Sequence, residues 1–223
     1  MTTNEANEPN QPNQQPNQQP NQQPQPQSPR IIVFGGSGRV GRAVVAGARA
    51  RGVEVTAVGR ADGEVTSAAD VARLAAGHDA AVVAVYDAGA APAEFFPALA
   101  RALAAGLPQA GVRRVVSVGL ASVLATQAGP LLMDTPGYPQ EWREFYVGHG
   151  AGTEALREAA PEGLDWAVLS PAGDFGDGPE AGGYAFAAAD AESRITHADF
   201  AHAVLDETTT PTLHGTHTGV TAA

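Results

Sequence analysis

The chain has 223 residues, 43% of them hydrophobic, and a formal net charge of −11. That is enough for one ordinary domain with a substantial core; no apolar run is long enough to span a membrane, and the acidic balance argues against a nucleic-acid partner. Cysteine is absent and all 13 basic residues are arginine, which excludes disulfides, thiolate chemistry, cysteine metal sites and any mechanism built on a lysine amine.

Residues 1–29 read as a disordered tail. Asn-Gln-Gln-Pro recurs at Asn13–Pro16, Asn17–Pro20 and Asn21–Pro24, with nothing apolar to bury and prolines that interrupt helix and ladder alike. The opening thirty residues do not carry the basic-then-apolar order of a secretory signal, so a cytoplasmic protein is expected. Without Glu5 and Glu8, 22 acidic residues face 13 basic ones, leaving −9 on the part expected to fold.

From Arg30 onward strand and helix alternate. Ile31–Phe34 has the length and branching of a buried parallel strand, and it runs into Gly35, Gly36, Gly38 and Gly41. A periodic helix carrying Val40, Val44, Val45 and Ala48 follows. Further strands are predicted at Val53–Val58, Ala80–Val85, Val112–Val118 and Leu164–Ser170. Helices are predicted at Ser67–Ala76, capped by Ser67 and stopped by Gly77, and at Pro92–Ala105, closed by Gly106. Two more are expected, one from about Thr153 to Ala160 with an upstream extension left open, and one over Ala198–Glu207. Ala128–Pro139 and Gly173–Gly183 read as loops, and the C-terminal residues only weakly as a strand. The alternation predicts an α/β, Rossmann-type doubly wound parallel sheet over 30–223, with substrate-side elements mainly in 120–223.

Strand, glycine turn and helix stand in the order that a dinucleotide site requires. The glycines let the backbone approach a diphosphate, and the helix turns its free amides toward it. Gly35, Gly36, Ser37, Gly38, Arg39, Val40 and Gly41 are the expected cradle. Two spacings are satisfied at once, GxGxxG from Gly36 and GxxGxxG from Gly35.

The second spacing, with His78-Asp79-Ala80, Met133-Asp134-Thr135-Pro136, Leu164-Asp165-Trp166, Leu169-Ser170-Pro171-Ala172 and Ser193-Arg194-Ile195-Thr196, resembles the NAD(P)H-binding, NmrA-like branch of the atypical short-chain dehydrogenases. Within that branch the chain is similar to small bacterial proteins labelled NAD(P)-dependent epimerase/dehydratase. The resemblance places Asp79 near the adenine, Ala84, Val85 and Tyr86 along the cofactor, and Pro171 and Ala172 beside the nicotinamide; Val118 and Gly119 are further cofactor-binding candidates.

Cofactor choice turns on the end of the second strand. No acid stands at its tip to accept from ribose hydroxyls, whereas Arg60 can hold a 2′-phosphate bidentately, with Arg39 helping. Asp62, about twenty residues past Gly41, is the rival NAD reading. NADP(H) is favoured over NAD(H), with a small-molecule substrate and no metal. His197 and His202, five residues apart, have the wrong spacing for a helical metal pair.

Active members of the resembled family use a Tyr-x-x-x-Lys pair. Tyr146 is the tyrosine candidate, yet Gly150 stands four residues later and the chain has no lysine. The usual serine is displaced to Ser122. Some relatives, similar to flavin and biliverdin-IXβ reductases, work without that pair by holding an acceptor against NADPH. Here Tyr146, His149 or Ser122, or Tyr138, would supply a proton or hydrogen bond. The expected function is NADPH-dependent reduction of a flavin, quinone or carbonyl; the alternatives are a non-catalytic NADP(H) sensor of NmrA type and a sugar epimerase/dehydratase. His214 and His217 have no assigned role.

Overall fold

The computed structural model describes residues 1–2 and 29–223, so the expected tail falls almost wholly outside the described residues. In chain order the elements are β1 (Ile31–Phe34), α1 (Arg39–Ala50), β2 (Val55–Val58), α2 (Ala68–Ala75), β3 (Ala80–Val83), α3 (Pro92–Gln109), β4 (Arg114–Val118), α4 (Arg143–Ala159), β5 (Asp165–Pro171), β6 (Asp174–Gly176), β7 (Tyr184–Ala187), β8 (Arg194–Thr196), α5 (His197–Thr209) and β9 (Thr216–Ala222). Seven strands make one sheet in the order β2-β1-β3-β4-β5-β9-β7, and β6 pairs with β8 beside it. All pairings in the large sheet are parallel except the last, where β7 runs antiparallel to β9.

The sheet is doubly wound because its strands bury both faces. Along β1, Ile32 and Phe34 join the cluster under α2, α3 and α4, while Ile31 and Val33 join the one under α1 and α5. Successive side chains point to opposite faces, so one apolar tetrapeptide serves two layers. Burial of such side chains contributes about 1.5–3 kcal/mol each.

Most strand ends shift by one or two residues and β6 lies within the expected loop Gly173–Gly183, while three larger departures have local reasons. Helix α3 continues past Gly106 to Gln109, because that glycine marks a close crossing rather than a stop. A Cβ there would lie 2.5 Å from the Ala68 carbonyl oxygen and 2.8 Å from Val71. Helix α4 starts ten residues before Thr153, at Arg143. The final strand β9 is seven residues long and lies between β5 and β7.

At the amino ends of β4 and β5 a buried ion network ties sheet to α5. Arg114 meets Asp165 at 2.8 Å and Glu207 at 3.2 Å, and its Nε donates to the Glu207 carbonyl at 3.0 Å. Glu207, 2% exposed, also accepts the Thr212 and Leu213 amides at 3.0 and 2.9 Å.

Candidate functional site

At the opposite end, chain direction fixes a crevice. From β1 the chain crosses to β2 on one side, and β3 then lies on the other side of β1. The carboxyl ends of β1 and β3 therefore flank a topological switch point, where open α/β sheets bind ligands.

The glycine turn lies there, packed so tightly that side chains cannot enter. Gly35 has φ +80, and a Cβ on it would lie 2.2 Å from the Ala84 carbonyl oxygen. A Cβ on Gly41 would lie 2.1 Å from the Gly35 carbonyl oxygen. The turn is pinned underneath, where the Gly35 and Gly36 amides donate to the Val58 carbonyl at 3.0 and 3.1 Å. Gly38 occupies the N-cap of α1 without a side-chain cap, so the first amides of the helix are left for a ligand. A cradle that a Cβ would fill, together with uncapped amides, fits a diphosphate.

The adenosine side is framed by charge. Arg60, just past β2, meets Asp87, just past β3, at 3.2 Å; its side chain is 78% exposed. Asp62 is engaged elsewhere, accepting the Gly59 amide at 2.7 Å. Ala84, Val85 and Tyr86 follow β3 directly at this edge. Asp79 does not belong here. It precedes β3 at the amino end of the sheet, where it accepts the Arg30 amide at 2.8 Å and pairs with the Arg30 guanidinium. The strand's full length separates it from the glycine turn, so its expected adenine contact is withdrawn.

Toward β4 and β5 the edge becomes a polar and aromatic wall. Val118 ends β4, Gly119 follows it, and Pro171 ends β5 with Ala172 behind it. Gly119 is close-packed, since a Cβ would lie 2.3 Å from Ser170 Oγ and 3.0 Å from His217 Nε2. Those two atoms are themselves 2.7 Å apart.

A short helical turn, Ala121–Val123, places Ser122 just beyond β4. The serine is 2% exposed and its Oγ finds no hydrogen-bond partner among the described residues. Tyr138 and Tyr146 pack edge to face at 5.6 Å between ring centroids. The Ser122 hydroxyl is close enough to Tyr138 to bear on its titration. Burial raises the Tyr138 pKa, and burial with the Glu141 charge raises that of Tyr146, so both phenols are protonated donors at neutral pH. Sequence spacing thus brings Ser122 and the two tyrosines toward one place.

His149, although flanked by Gly148 and Gly150, is a helical residue. It lies inside α4, turned toward α3, with its ring 4.2 Å from that of Phe96 and 5.9 Å from that of Phe145. Burial, then the neighbouring His217, lowers its pKa to about 4, so it is a neutral imidazole rather than a cationic acid at neutral pH. With Ser117 and Thr153 it lines a cavity of about 30 Å³ between sheet and helices, roomy enough for a water. His217, unassigned from the sequence, lies in β9 and has its pKa lowered to about 4 by burial and Arg157. Its only sequence signal is the alternation Thr216-His217-Thr218, too polar to announce a strand. The described residues contain no cluster of three metal-ligating His, Asp or Glu side chains and no helix long and apolar enough to cross a membrane.

Residues 61–211 match the model of a family described as NAD(P)H-binding. The chain belongs to that family. A curated relative, the uncharacterised Bacillus subtilis protein YwnB, is 33% identical over 196 residues, covering 80% of this chain and 91% of its own. Among solved structures, a candidate exported protein from Burkholderia pseudomallei is 29% identical with a TM-score of 0.77, covering 86% of this chain and 99% of its own. A candidate epimerase from Bacteroides thetaiotaomicron is 26% identical with a TM-score of 0.75, covering 87% and 97%. A candidate NADH-flavin reductase from Streptococcus pneumoniae is also 26% identical, with a TM-score of 0.70, covering 87% and 100%. The family thus supplies a nicotinamide cofactor, and the Rossmann-like sheet supplies the crevice for it.

Proposed function

We propose that the protein is an NADPH-dependent reductase of a small flavin, quinone or carbonyl acceptor, working chiefly by holding cofactor and acceptor against each other. The observation that carries this reading is a convergence at one sheet edge. The uncapped glycine turn after β1 and the Ser122, Tyr138 and Tyr146 hydroxyls beyond β4 flank the end of β3. In this reading Gly35 to Gly41, including Ser37, Arg39 and Val40, hold the diphosphate, and Arg60 holds the 2′-phosphate. Ala84 to Tyr86 line the adenosine side, while Val118, Gly119, Pro171 and Ala172 floor the nicotinamide.

When bound, the nicotinamide supplies the hydride. The chain's own residues do the rest. Tyr146 or Tyr138 donates a hydrogen bond to the acceptor oxygen; because their pKa values are raised, both phenols stay protonated, and the proton that follows the hydride comes from solvent. Ser122 orients that oxygen, and Tyr86, Phe145 and Phe96, packed edge to face, form an aromatic wall on that side. Residues 30–223 act as one domain, with acceptor-side elements from 120–223. A cytoplasmic setting goes with this reading, since a reductase needs a pool of reduced cofactor.

The test is fluorescence titration with NADPH and NADH, followed by NADPH oxidation across flavin, quinone and carbonyl acceptors. Tight NADPH binding with no turnover on any acceptor would defeat the reductase reading. One observation then favours a sensor of nicotinamide redox state: Gly150, one helical turn beyond Tyr146, occupies the place of the missing lysine. A sensor would bind a protein partner differently with NADP⁺ and with NADPH, and equal affinities in a pull-down would remove it.

A further inference from the structure

Beside the glycine turn, on the α1 and α5 face, lies a pocket of about 310 Å³ lined by Arg39, Arg42, Ala43, Asp177, Thr196 and His197. Small-molecule sites begin at about this size. Its walls are built rather than loose. Asp199 accepts the Ala181 and Gly182 amides at 3.0 and 3.1 Å, and Asp177 accepts from His197 Nδ1 at 2.8 Å. The glycine-rich segment after β6 is thereby fastened to the first turn of α5.

The charge inside the pocket is unusual for this chain. Eight of the 13 arginines pair with carboxylates of described residues; Arg39, Arg42, Arg49, Arg101 and Arg113 do not, and of these five Arg39 and Arg42 line this pocket. Arg42 donates once, to the Ser37 carbonyl at 2.7 Å, out of five available N–H groups. The α1 residues buried against the sheet are Gly41, Val44, Val45 and Ala48, so the helix turns both arginines away from the core. The facing carboxylate, Asp177, is 94% exposed and held by His197 rather than by either arginine. Its pKa is lowered first by His197 and last by the charges of Arg39 and Arg42, so it is an anion that both arginines attract. In a chain of net charge −11, the Arg42 guanidinium, with most of its N–H groups unused and Arg39 of the diphosphate seat beside it, is matched to an external acid.

We infer that this pocket seats a carboxylate or phosphate group of the acceptor, making the enzyme selective for acidic substrates, with Arg42 as the selecting residue. The inference rests on the glycine turn being the cofactor's diphosphate seat, which leaves the neighbouring pocket for a second anion.

The experiment is calorimetric titration of NADP⁺-saturated protein with inorganic phosphate, benzoate and neutral benzamide, repeated without NADP⁺. Phosphate and benzoate should bind alongside NADP⁺, and benzamide should not. Arg42→Gln should weaken both anions about ten- to a hundredfold, with Arg42→Lys recovering part of the loss. Asp177→Asn, at an exposed position, should tighten them, which a damaged fold would not do. Phosphate displaced by NADP⁺ would make the pocket part of the diphosphate seat and overturn the inference. So would an absence of anion binding, or a Asp177→Asn effect of the opposite sign. Failure of NADP⁺ itself to bind would instead defeat the cofactor reading, and the titrations without NADP⁺ would still decide whether the pocket takes acids.

Discussion

Arg60 and Asp87 meet at 3.2 Å across the carboxyl end of β1, because β2 and β3 flank that strand. The pair spans the place where an adenosine would enter, and a 2′-phosphate would compete with Asp87 for the guanidinium. Arg60→Ala should weaken NADPH by about 1.5–3 kcal/mol while leaving NADH nearly unchanged. Asp87→Asn should tighten NADPH slightly, by less than about 1 kcal/mol, since the pair it breaks is exposed. Fluorescence titration of both cofactors in both variants checks this; equal losses for NADPH and NADH in Arg60→Ala would contradict it.

Ser122 sets stability against turnover. A buried hydroxyl without a partner costs about 1–3 kcal/mol, so Ser122→Ala should leave the fold as stable or more so. The same change should lower kcat/KM by removing the group that orients the acceptor. Thermal unfolding and steady-state kinetics on one preparation test both halves, and a variant that lost stability would refute the first.

Acid should act through the half-buried His149 and His217. Both have folded pKa values of about 4, below the unfolded value near 6.5, so the unfolded chain takes up protons first. Stability is full above about pH 6.5 and falls toward pH 4, losing about 2 kcal/mol per histidine by pH 5. Urea unfolding at pH 7 and pH 5 should show a smaller drop in His217→Gln than in wild type; equal drops would remove His217 from the account.

Gly119 is held to glycine by Ser170 and His217. Gly119→Ala should destabilise by about 1–3 kcal/mol through overpacking, and Ser170→Ala in the same chain should restore part of it. Chemical denaturation of the two single variants and the double variant measures the coupling, and strict additivity would show no contact between them.

The glycine turn was legible because its determinants are local: four branched or aromatic residues, then glycines at fixed offsets, then a helix. The doubly wound sheet followed from the same alternation. What the sequence hid depends on partners distant in the chain. Gly148 and Gly150 around His149 suggest a loop, but Gly148 is there for helix packing, a Cβ on it lying 2.6 Å from Pro92. Gly152, a turn later, meets Phe96 at 2.7 Å in the same way. Strand β9 has one large aliphatic residue, Val220, and forms because β5 and β7 supply hydrogen bonds on both its edges. The antiparallel β7 was likewise missed, since nothing in Tyr184–Ala187 encodes direction. The resemblance puts Asp79 near the adenine, although a strand predicted to begin at Ala80 already sets it at the amino end of a parallel sheet whose ligands bind at the other end. The Arg39 and Arg42 pocket needs α1 and α5 side by side, a juxtaposition made only by the fold.

The ion network of Arg114, Asp165 and Glu207 lies at the far end of the strands from every group proposed to touch a ligand. Anchorage and chemistry are therefore spatially insulated. Substitutions around the crevice can retune acceptor choice while the basal staple keeps the strands in register, so the architecture tolerates drift at its working rim. Such insulation offers one physical route by which proteins of one fold can come to carry names as different as epimerase and flavin reductase.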